Sequence, residues 1–188
     1  MHKPLDNVFL IGPMGAGKTT VGRQLAQVLG LEFVDSDQEI ERRTGADIPW
    51  IFDIEGEAGF RRRERAVIED LCQRRSQVVA TGGGAVLDPD SRADLARSGV
   101  VVYLSASADR IYTRTRKSQN RPLLRTQDPR ARIAQILHDR EPLYREIADL
   151  IVDTERRGVN SATTLIVKYL REAAKSNSAS TPACSAQS

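Results

Sequence analysis

The stretch Val8-Phe9-Leu10-Ile11-Gly12-Pro13-Met14-Gly15-Ala16-Gly17-Lys18-Thr19 decides the fold of this protein. Its first four residues form an apolar run typical of a buried β-strand, and the other eight match the pattern G-x-x-x-x-G-K-[ST]. Glycines in this pattern allow backbone conformations that turn successive N–H groups toward phosphate oxygens. A helix predicted from Thr19 to Leu29 directs the positive end of its dipole to the same place. The stretch therefore predicts a loop that binds the phosphates of a nucleoside triphosphate.

Two side chains of this loop carry chemistry. Lys18 is expected to reach the terminal phosphates, and Thr19 to place its hydroxyl on Mg²⁺. The residues of this segment predicted to contact ATP are Gly15, Ala16, Gly17, Lys18, Thr19 and Thr20. The pattern does not identify the phosphate acceptor, because hydrolytic motors, GTPases and small-molecule kinases all contain such a loop.

Short apolar runs alternate with longer amphipathic segments along the rest of the chain. The predicted strands are Val8–Ile11, Glu32–Val34, Val78–Ala80, Val100–Leu104 and Leu150–Val152. The predicted helices after the first run from Ser36 to near Gly45, from about Ala58 to Arg74, from Pro89, from Asp109 to Arg116, from Pro129 with an interruption at Pro142, and from Asn160 to about Ala174. Unbroken apolar strands that alternate with helices predict an α/β fold, a five-stranded parallel sheet with helices on both faces.

The chain is short enough for one domain, which we place at residues 1–174. The polar, Ser-rich residues 175–188 have little to bury and are predicted to be a disordered tail. The net charge is +3, which is too small to argue for a nucleic-acid partner. Neither cysteine has metal-ligand spacing, and no apolar run is long enough to span a membrane. We therefore expect a cytoplasmic monomer without nucleic-acid or membrane partners.

Asp35 and Asp37 follow the second predicted strand. Ligands of open α/β sheets bind beyond the carboxyl ends of the strands, so one carboxylate could serve the metal through water while the other accepts a proton from an acceptor hydroxyl. Alternatively, both could simply cap the helix that follows. The residues Gly82, Gly83 and Gly84 close the third strand and could bring backbone N–H groups close to a ligand, or could form a plain turn.

Arginines crowd two further segments. Arg61, Arg62, Arg63 and Arg65 lie on one predicted helix, and spacing alone does not tell which of them, if any, faces a pocket. Arg114, Arg116, Lys117 and Arg121 lie in a polar segment that could close over phosphates or could be an ordinary surface loop.

Six segments of the chain together resemble the shikimate kinase family. They are GPMGAGKTT, DSDQEIE, GFRRRE, ATGGGAV, RPLL and REPLYREIAD, in the family's order over roughly residues 7 to 171. The resemblance implies a nucleoside-monophosphate-kinase-like fold with a substrate-binding region at about residues 36–63 and a lid at about residues 112–126. It implies transfer of the ATP γ-phosphate to the 3-hydroxyl of shikimate, on the route to chorismate and the aromatic amino acids.

The resemblance also implies roles for individual residues. Asp37 would bind the shikimate hydroxyls and act as the base, with Lys18 and Arg121 as the other catalytic residues. The residues that would bind shikimate are Asp37, Arg61, Gly82, Gly83, Gly84 and Arg140. Arg114, Arg121 and Arg157 would join the phosphate loop in binding ATP. Thr19 would bind Mg²⁺ directly, and Asp35 through water.

Two other functions remain compatible with the residues alone. A related kinase for gluconate or a nucleotide would keep the phosphate loop and change the acceptor pocket, although paired Arg61 and Arg140 favour an acceptor with a carboxylate. A nucleic-acid-binding ATPase would fit the basic pI of 9.1, but the chain lacks basic patches interleaved with aromatic residues.

Overall fold

The computed structural model describes residues 4–116 and 127–179. Its sheet contains five parallel strands in the order β2-β3-β1-β4-β5. Their bounds are β1 Asn7–Ile11, β2 Glu32–Asp35, β3 Gln77–Ala80, β4 Val100–Ser105 and β5 Leu150–Asp153. The sequence-based prediction of a five-stranded parallel sheet is confirmed.

Seven α-helices occur within the described residues. They are α1 Lys18–Leu29, α2 Ser36–Thr44, α3 Ile48–Gln73, α4 Pro89–Ser98, α5 Ala108–Thr115, α6 Pro129–Ile147 and α7 Val159–Ala179, and a short 3₁₀ helix spans Ala85–Leu87. Residues with positive φ, Gly30 and Gly45, end α1 and α2 as predicted. In the described part of the chain, no helix is both long enough and apolar enough to cross a bilayer.

Two helix bounds differ from the prediction, while that of the charged helix is confirmed. Gly56, with φ 68° and ψ −179°, is not helical and divides α3, so the charged helix starts after it, close to the predicted Ala58. The first part of α3, from Ile48, is capped by Asp47 and was not predicted. Helix α6 continues through Pro142 to Ile147 instead of stopping there. Helix α7 runs to Ala179, so residues 175–179 are helical rather than part of a disordered tail.

Two hydrophobic cores lie on opposite faces of the sheet, because successive side chains of each strand point to alternate faces. In β1, Val8 and Leu10 face the core built with α1, α5 and α7. Phe9 and Ile11 face the core built with α2, α3 and α4. Both faces are therefore covered, and this accounts for the unbroken apolar strands.

The strand order brings the chemically informative segments together at one edge. Because β2, β3 and β1 are neighbours, Asp35 at the end of β2 and the glycines after β3 lie beside the loop that follows β1. This is the carboxyl edge, where ligands bind in open α/β sheets.

Candidate active site

The loop after β1 packs tightly against the sheet. Gly12 has φ 136°, and a Cβ added there would overlap the carbonyl oxygen of Leu104. Only glycine fits this close approach without strain. Gly17, with φ 97°, caps α1, and the Lys18 Nζ donates hydrogen bonds of 2.7 Å to the Gly12 carbonyl and 2.8 Å to that of Pro13. The loop is thus folded around its lysine, at a helix N-terminus suited to phosphate.

A cavity of about 590 Å³ opens beside this loop, within the size range of ligand sites. The predicted site residues that line it are Gly15, Ala16, Gly17, Lys18, Thr19, Thr20, Asp35, Asp37, Gly83, Arg114 and Arg157. Arg61, Gly82, Gly84 and Arg140 are not among the lining residues, and they lie around Gly83 instead. Arg121 lies outside the described residues, together with the RPLL segment and most of the predicted lid.

A hydrogen bond joins the side chains of Thr19 and Asp35 at the N-terminus of α1. The Thr19 Oγ1 donates a 2.8 Å hydrogen bond to Asp35 Oδ2, and Asp35 Oδ1 accepts the backbone N–H of Asp37 at 3.1 Å. Asp35 therefore does cap α2, as the alternative interpretation held, while its second oxygen faces the threonine.

A Mg²⁺ ion fits the donor set at this position. Hydroxyl and carboxylate oxygens are hard ligands, and Mg²⁺ commonly takes only one or two protein ligands together with water and phosphate oxygens. Among residues 4–116 and 127–179, no group of three or more His, Cys, Asp or Glu side chains could hold a metal by itself. The ion would therefore depend on the nucleotide for most of its ligands.

Asp37 lies against the triple glycine. A Cβ at Gly82 would stand 2.7 Å from Asp37 Oδ1 and 2.5 Å from Glu64 Oε1, so the absence of a side chain lets both carboxylates approach the backbone. The Gly82 N–H donates a 2.8 Å hydrogen bond to the Ser36 hydroxyl, which ties this glycine to the start of α2. The glycines are therefore a close-approach site rather than a plain turn.

Arg61 is held between two carboxylates. Its Nη1 lies 2.5 Å from Glu64 Oε2, while its Nε and Nη2 lie 3.3 and 2.9 Å from Glu57 Oε1. Burial raises the pKa of Glu64 although Arg61 opposes that shift. Two other members of the arginine cluster form ion pairs elsewhere, Arg63 with Glu55 and Arg65 with Asp94. The structure thus distinguishes Arg61 where spacing could not.

Arg140 is a buried cation, 6% exposed, on α6. Its Nη1 donates a 3.1 Å hydrogen bond to the Gly83 carbonyl. No carboxylate of the described residues lies within ion-pair distance of it, whereas Arg61 has two such partners. Glu64 interacts with Arg140 electrostatically without a direct contact. A buried guanidinium without a direct ion pair is costly, and an anionic ligand would offset that cost.

Arginines also line the cavity beside the phosphate loop. The Arg114 Nη1 donates a 2.9 Å hydrogen bond to the Gly15 carbonyl, and burial and the like charge of Arg110 lower the pKa of Arg114. Sequence reasoning missed Arg110, Thr154 and Glu155, which also line the cavity. The position of Arg110, one helical turn before Arg114, was the signal that could have revealed it.

Comparison with known proteins agrees with this geometry. The family model described as shikimate kinase matches residues 14–171. The chain belongs to the shikimate kinase family. A shikimate kinase from Hahella chejuensis is 56% identical over 90% of this chain and 88% of its own, and one from Halorhodospira halophila is 57% identical over 88% and 94%. The solved structure of a shikimate kinase from Acinetobacter baumannii in complex with shikimate is 48% identical, with a TM-score of 0.84 over 93% of this chain and 96% of that one.

Proposed function

We propose that this protein transfers the γ-phosphate of ATP to the 3-hydroxyl of shikimate, giving shikimate 3-phosphate and ADP. The observation that carries the proposal is the pair of arginines at the triple glycine, above all the buried Arg140, which forms no direct ion pair with a carboxylate of the described residues. Planar guanidinium groups hold a carboxylate with two parallel hydrogen bonds. Next to a phosphate-binding loop, this pair favours an acceptor with both a carboxylate and a hydroxyl.

The donor side is the loop with Lys18 and the N-terminus of α1. In the proposed reaction the acceptor oxygen forms a bond to the γ-phosphorus while the bond to the β–γ bridging oxygen breaks. Lys18 and the loop N–H groups stabilise the negative charge on the transferring group, which is the main catalytic task in phosphoryl transfer. We assign Arg121 to the same task from the family pattern alone.

The acceptor side is the group formed by Asp37, Arg61, Gly82, Gly83, Gly84 and Arg140. Asp37 accepts a hydrogen bond from the reacting hydroxyl and takes up its proton. Arg61 and Arg140 hold the carboxylate, and the glycines let the backbone contact the ring.

Mg²⁺ is the proposed cofactor, and it would supply charge neutralisation on the β- and γ-phosphates. Thr19 would hold the ion directly and Asp35 through water. Arg114 and Arg157, which line the cavity, would border the adenine. A monomer in the reducing cytoplasm, serving aromatic amino-acid biosynthesis, is the setting that fits these substrates.

A coupled assay of ADP release tests the proposal. We expect turnover with shikimate and Mg-ATP, and no turnover above the acceptor-free rate with gluconate or a nucleoside monophosphate. Mass spectrometry should detect one added phosphate on shikimate. Absence of turnover at millimolar shikimate, or equal turnover with gluconate, would contradict the proposal.

A further inference from the structure

Tyr144 and Arg140 donate to the same backbone atom. The Tyr144 hydroxyl lies 2.5 Å from the Gly83 carbonyl oxygen, and Arg140 Nη1 lies 3.1 Å from it. The two side chains are one turn apart on α6 and therefore share a face of that helix. Tyr144 is only 1% exposed, so the donor side chain is shielded from water. A carbonyl accepts both donors through its two lone pairs.

The direction of the Tyr144 hydrogen bond is unambiguous. A carbonyl oxygen can only accept, and burial raises the pKa of Tyr144, so its hydroxyl stays protonated and donates. The ring is held in place as well, because it stacks on Tyr103 with centroids 5.0 Å apart and an interplanar angle of 23°. Tyr144 is therefore a fixed donor rather than a rotating side chain.

The Tyr144 hydroxyl donates its hydrogen bond to the triple glycine, which has no side chains. Three consecutive glycines have wide backbone freedom, and nothing beyond their peptide groups can fix their orientation. The described chain has no cis peptide bond, so the Gly83 carbonyl and the Gly84 N–H point in opposite directions across one plane. Holding the carbonyl therefore also sets the Gly84 N–H.

The shared carbonyl also links Tyr144 to Arg140. Arg140 has an electrostatic interaction with Glu64, whose buried carboxylate lies beside Gly82. With Gly83 fixed by Tyr144, the carbonyl is a stationary anchor for the Arg140 guanidinium. Without the hydroxyl, the peptide could rotate and Arg140 could move toward Glu64.

We propose that Tyr144 is a positioning residue of the acceptor site, which orients the Gly83–Gly84 peptide and the Arg140 guanidinium to receive the acceptor's carboxylate. This inference rests on the proposed function. Tyr144 acts through Gly83 and Arg140, and it takes no part in proton or phosphoryl transfer.

Tyr144→Phe tests the inference, with Tyr103→Phe as its matched control. Each variant loses one hydroxyl from the same stacked pair, but only the Tyr144 hydroxyl is bonded to Gly83. We expect Tyr144→Phe to raise the KM for shikimate about fivefold, since a typical hydrogen bond is lost. The KM for ATP should stay within about twofold, and Tyr103→Phe should leave both values within about twofold.

Two further measurements separate positioning from general stability. In an Arg140→Lys background, Tyr144→Phe should add less than about twofold to the KM for shikimate, because the two residues act on one group. In ¹⁵N NMR spectra, the Gly83 and Gly84 amide signals should shift in Tyr144→Phe and stay in place in Tyr103→Phe.

An unchanged KM for shikimate in Tyr144→Phe would overturn the inference and leave the proposed function intact. Equal increases in the KM for shikimate and for ATP, accompanied by a lower Tm, would overturn it in favour of a merely structural role. If the wild-type protein does not phosphorylate shikimate, the proposed function fails. The NMR comparison then decides the positioning of Gly83, and unchanged glycine signals would overturn it.

Discussion

The Thr19 hydroxyl donates a 2.8 Å hydrogen bond to one oxygen of Asp35, whose other oxygen caps α2 at the Asp37 N–H. One carboxylate therefore connects the N-terminus of the phosphate-binding helix α1 to the helix that carries Asp37. A substitution that keeps the helix cap but removes the negative charge of Asp35 can therefore test the metal role separately from folding.

Asp35→Asn should weaken the response to Mg²⁺ without unfolding the protein. Asparagine is as good an N-cap as aspartate, so Tm should change little, but the negative charge near the metal position is lost. We expect the Mg²⁺ concentration for half-maximal activity to rise by about fivefold or more at fixed ATP. Asp88→Asn, at the cap of α4, is the control and should leave the Mg²⁺ response unchanged. An unchanged response in Asp35→Asn would remove Asp35 from the metal site.

Asp37→Asn should reduce kcat by about 100-fold or more, because general-base contributions are of this size. ATP affinity, measured by calorimetric titration, should stay within about twofold of wild type. The cap of α2 should survive, since Asp37 contributes its backbone N–H rather than its side chain to that cap. Near-normal turnover would show that Asp37 is not the base.

Gly84→Ala should act on the acceptor site through Arg61. An added Cβ would overlap the Arg61 guanidinium, which would have to move away from the buried carboxylate of Glu64. We expect the KM for shikimate to rise about tenfold and Tm to fall, because Glu64 loses its ion pair. In an Arg61→Ala background the same substitution should have no further effect, because the clash is gone. Additive effects of the two substitutions on the KM would show that Gly84→Ala does not act through Arg61.

Glu57→Gln should lower the KM for shikimate by about two- to threefold. Glu57 occupies the Nε and Nη2 edge of Arg61, so an incoming carboxylate must compete with it for that edge. Arg61→Ala should have the opposite effect and raise the KM by about tenfold or more. Glu55→Gln, which breaks the pair with Arg63 on the same helix, serves as the control. A higher KM in Glu57→Gln would show that Glu57 supports binding instead of competing with it.

Glu39 should make stability depend on pH through α2. Hydrogen bonds from Arg42, followed by the hydrogen bond and the charge of Arg43, lower the pKa of Glu39 from 4.5 to about 2, although burial opposes the shift. Because the folded pKa is the lower one, the stabilisation is complete above the unfolded pKa and is lost as pH falls from about 4.5 toward 2. Glu39→Gln should therefore lower Tm by several degrees at pH 7 and by much less at pH 3.

A matched control for Glu39 is the exposed pair between Glu172 and Lys168, 3.9 Å apart on α7. Glu172→Gln should change Tm little at any pH, because exposed pairs contribute little. Equal Tm differences for Glu39→Gln at pH 7 and pH 3 would contradict the proposed linkage.

Local pattern was sufficient for most of the fold. Apolar runs such as Val100–Leu104 have no charged side chain to expose, so both of their faces are buried. Residues such as Asp88 and Asp128 mark the starts of helices, because their side chains accept hydrogen bonds from the first helical turn. The prediction failed where context overrode propensity. Helix α6 passes through Pro142, and an additional helical segment from Ile48 precedes the predicted charged helix.

The sequence by itself determined the phosphate loop, because every requirement of that loop lies within eight consecutive residues and the elements beside them. It also determined the family, through six motifs in order. The tertiary structure alone decided which of four clustered arginines meets the triple glycine, that Asp35 serves a helix cap and Thr19 at once, and that Tyr144 holds Gly83 from 61 residues away. These contacts depend on the order of the strands and on how α6 packs against the sheet. Residues so far apart in the chain share no local sequence pattern from which their contact could be predicted.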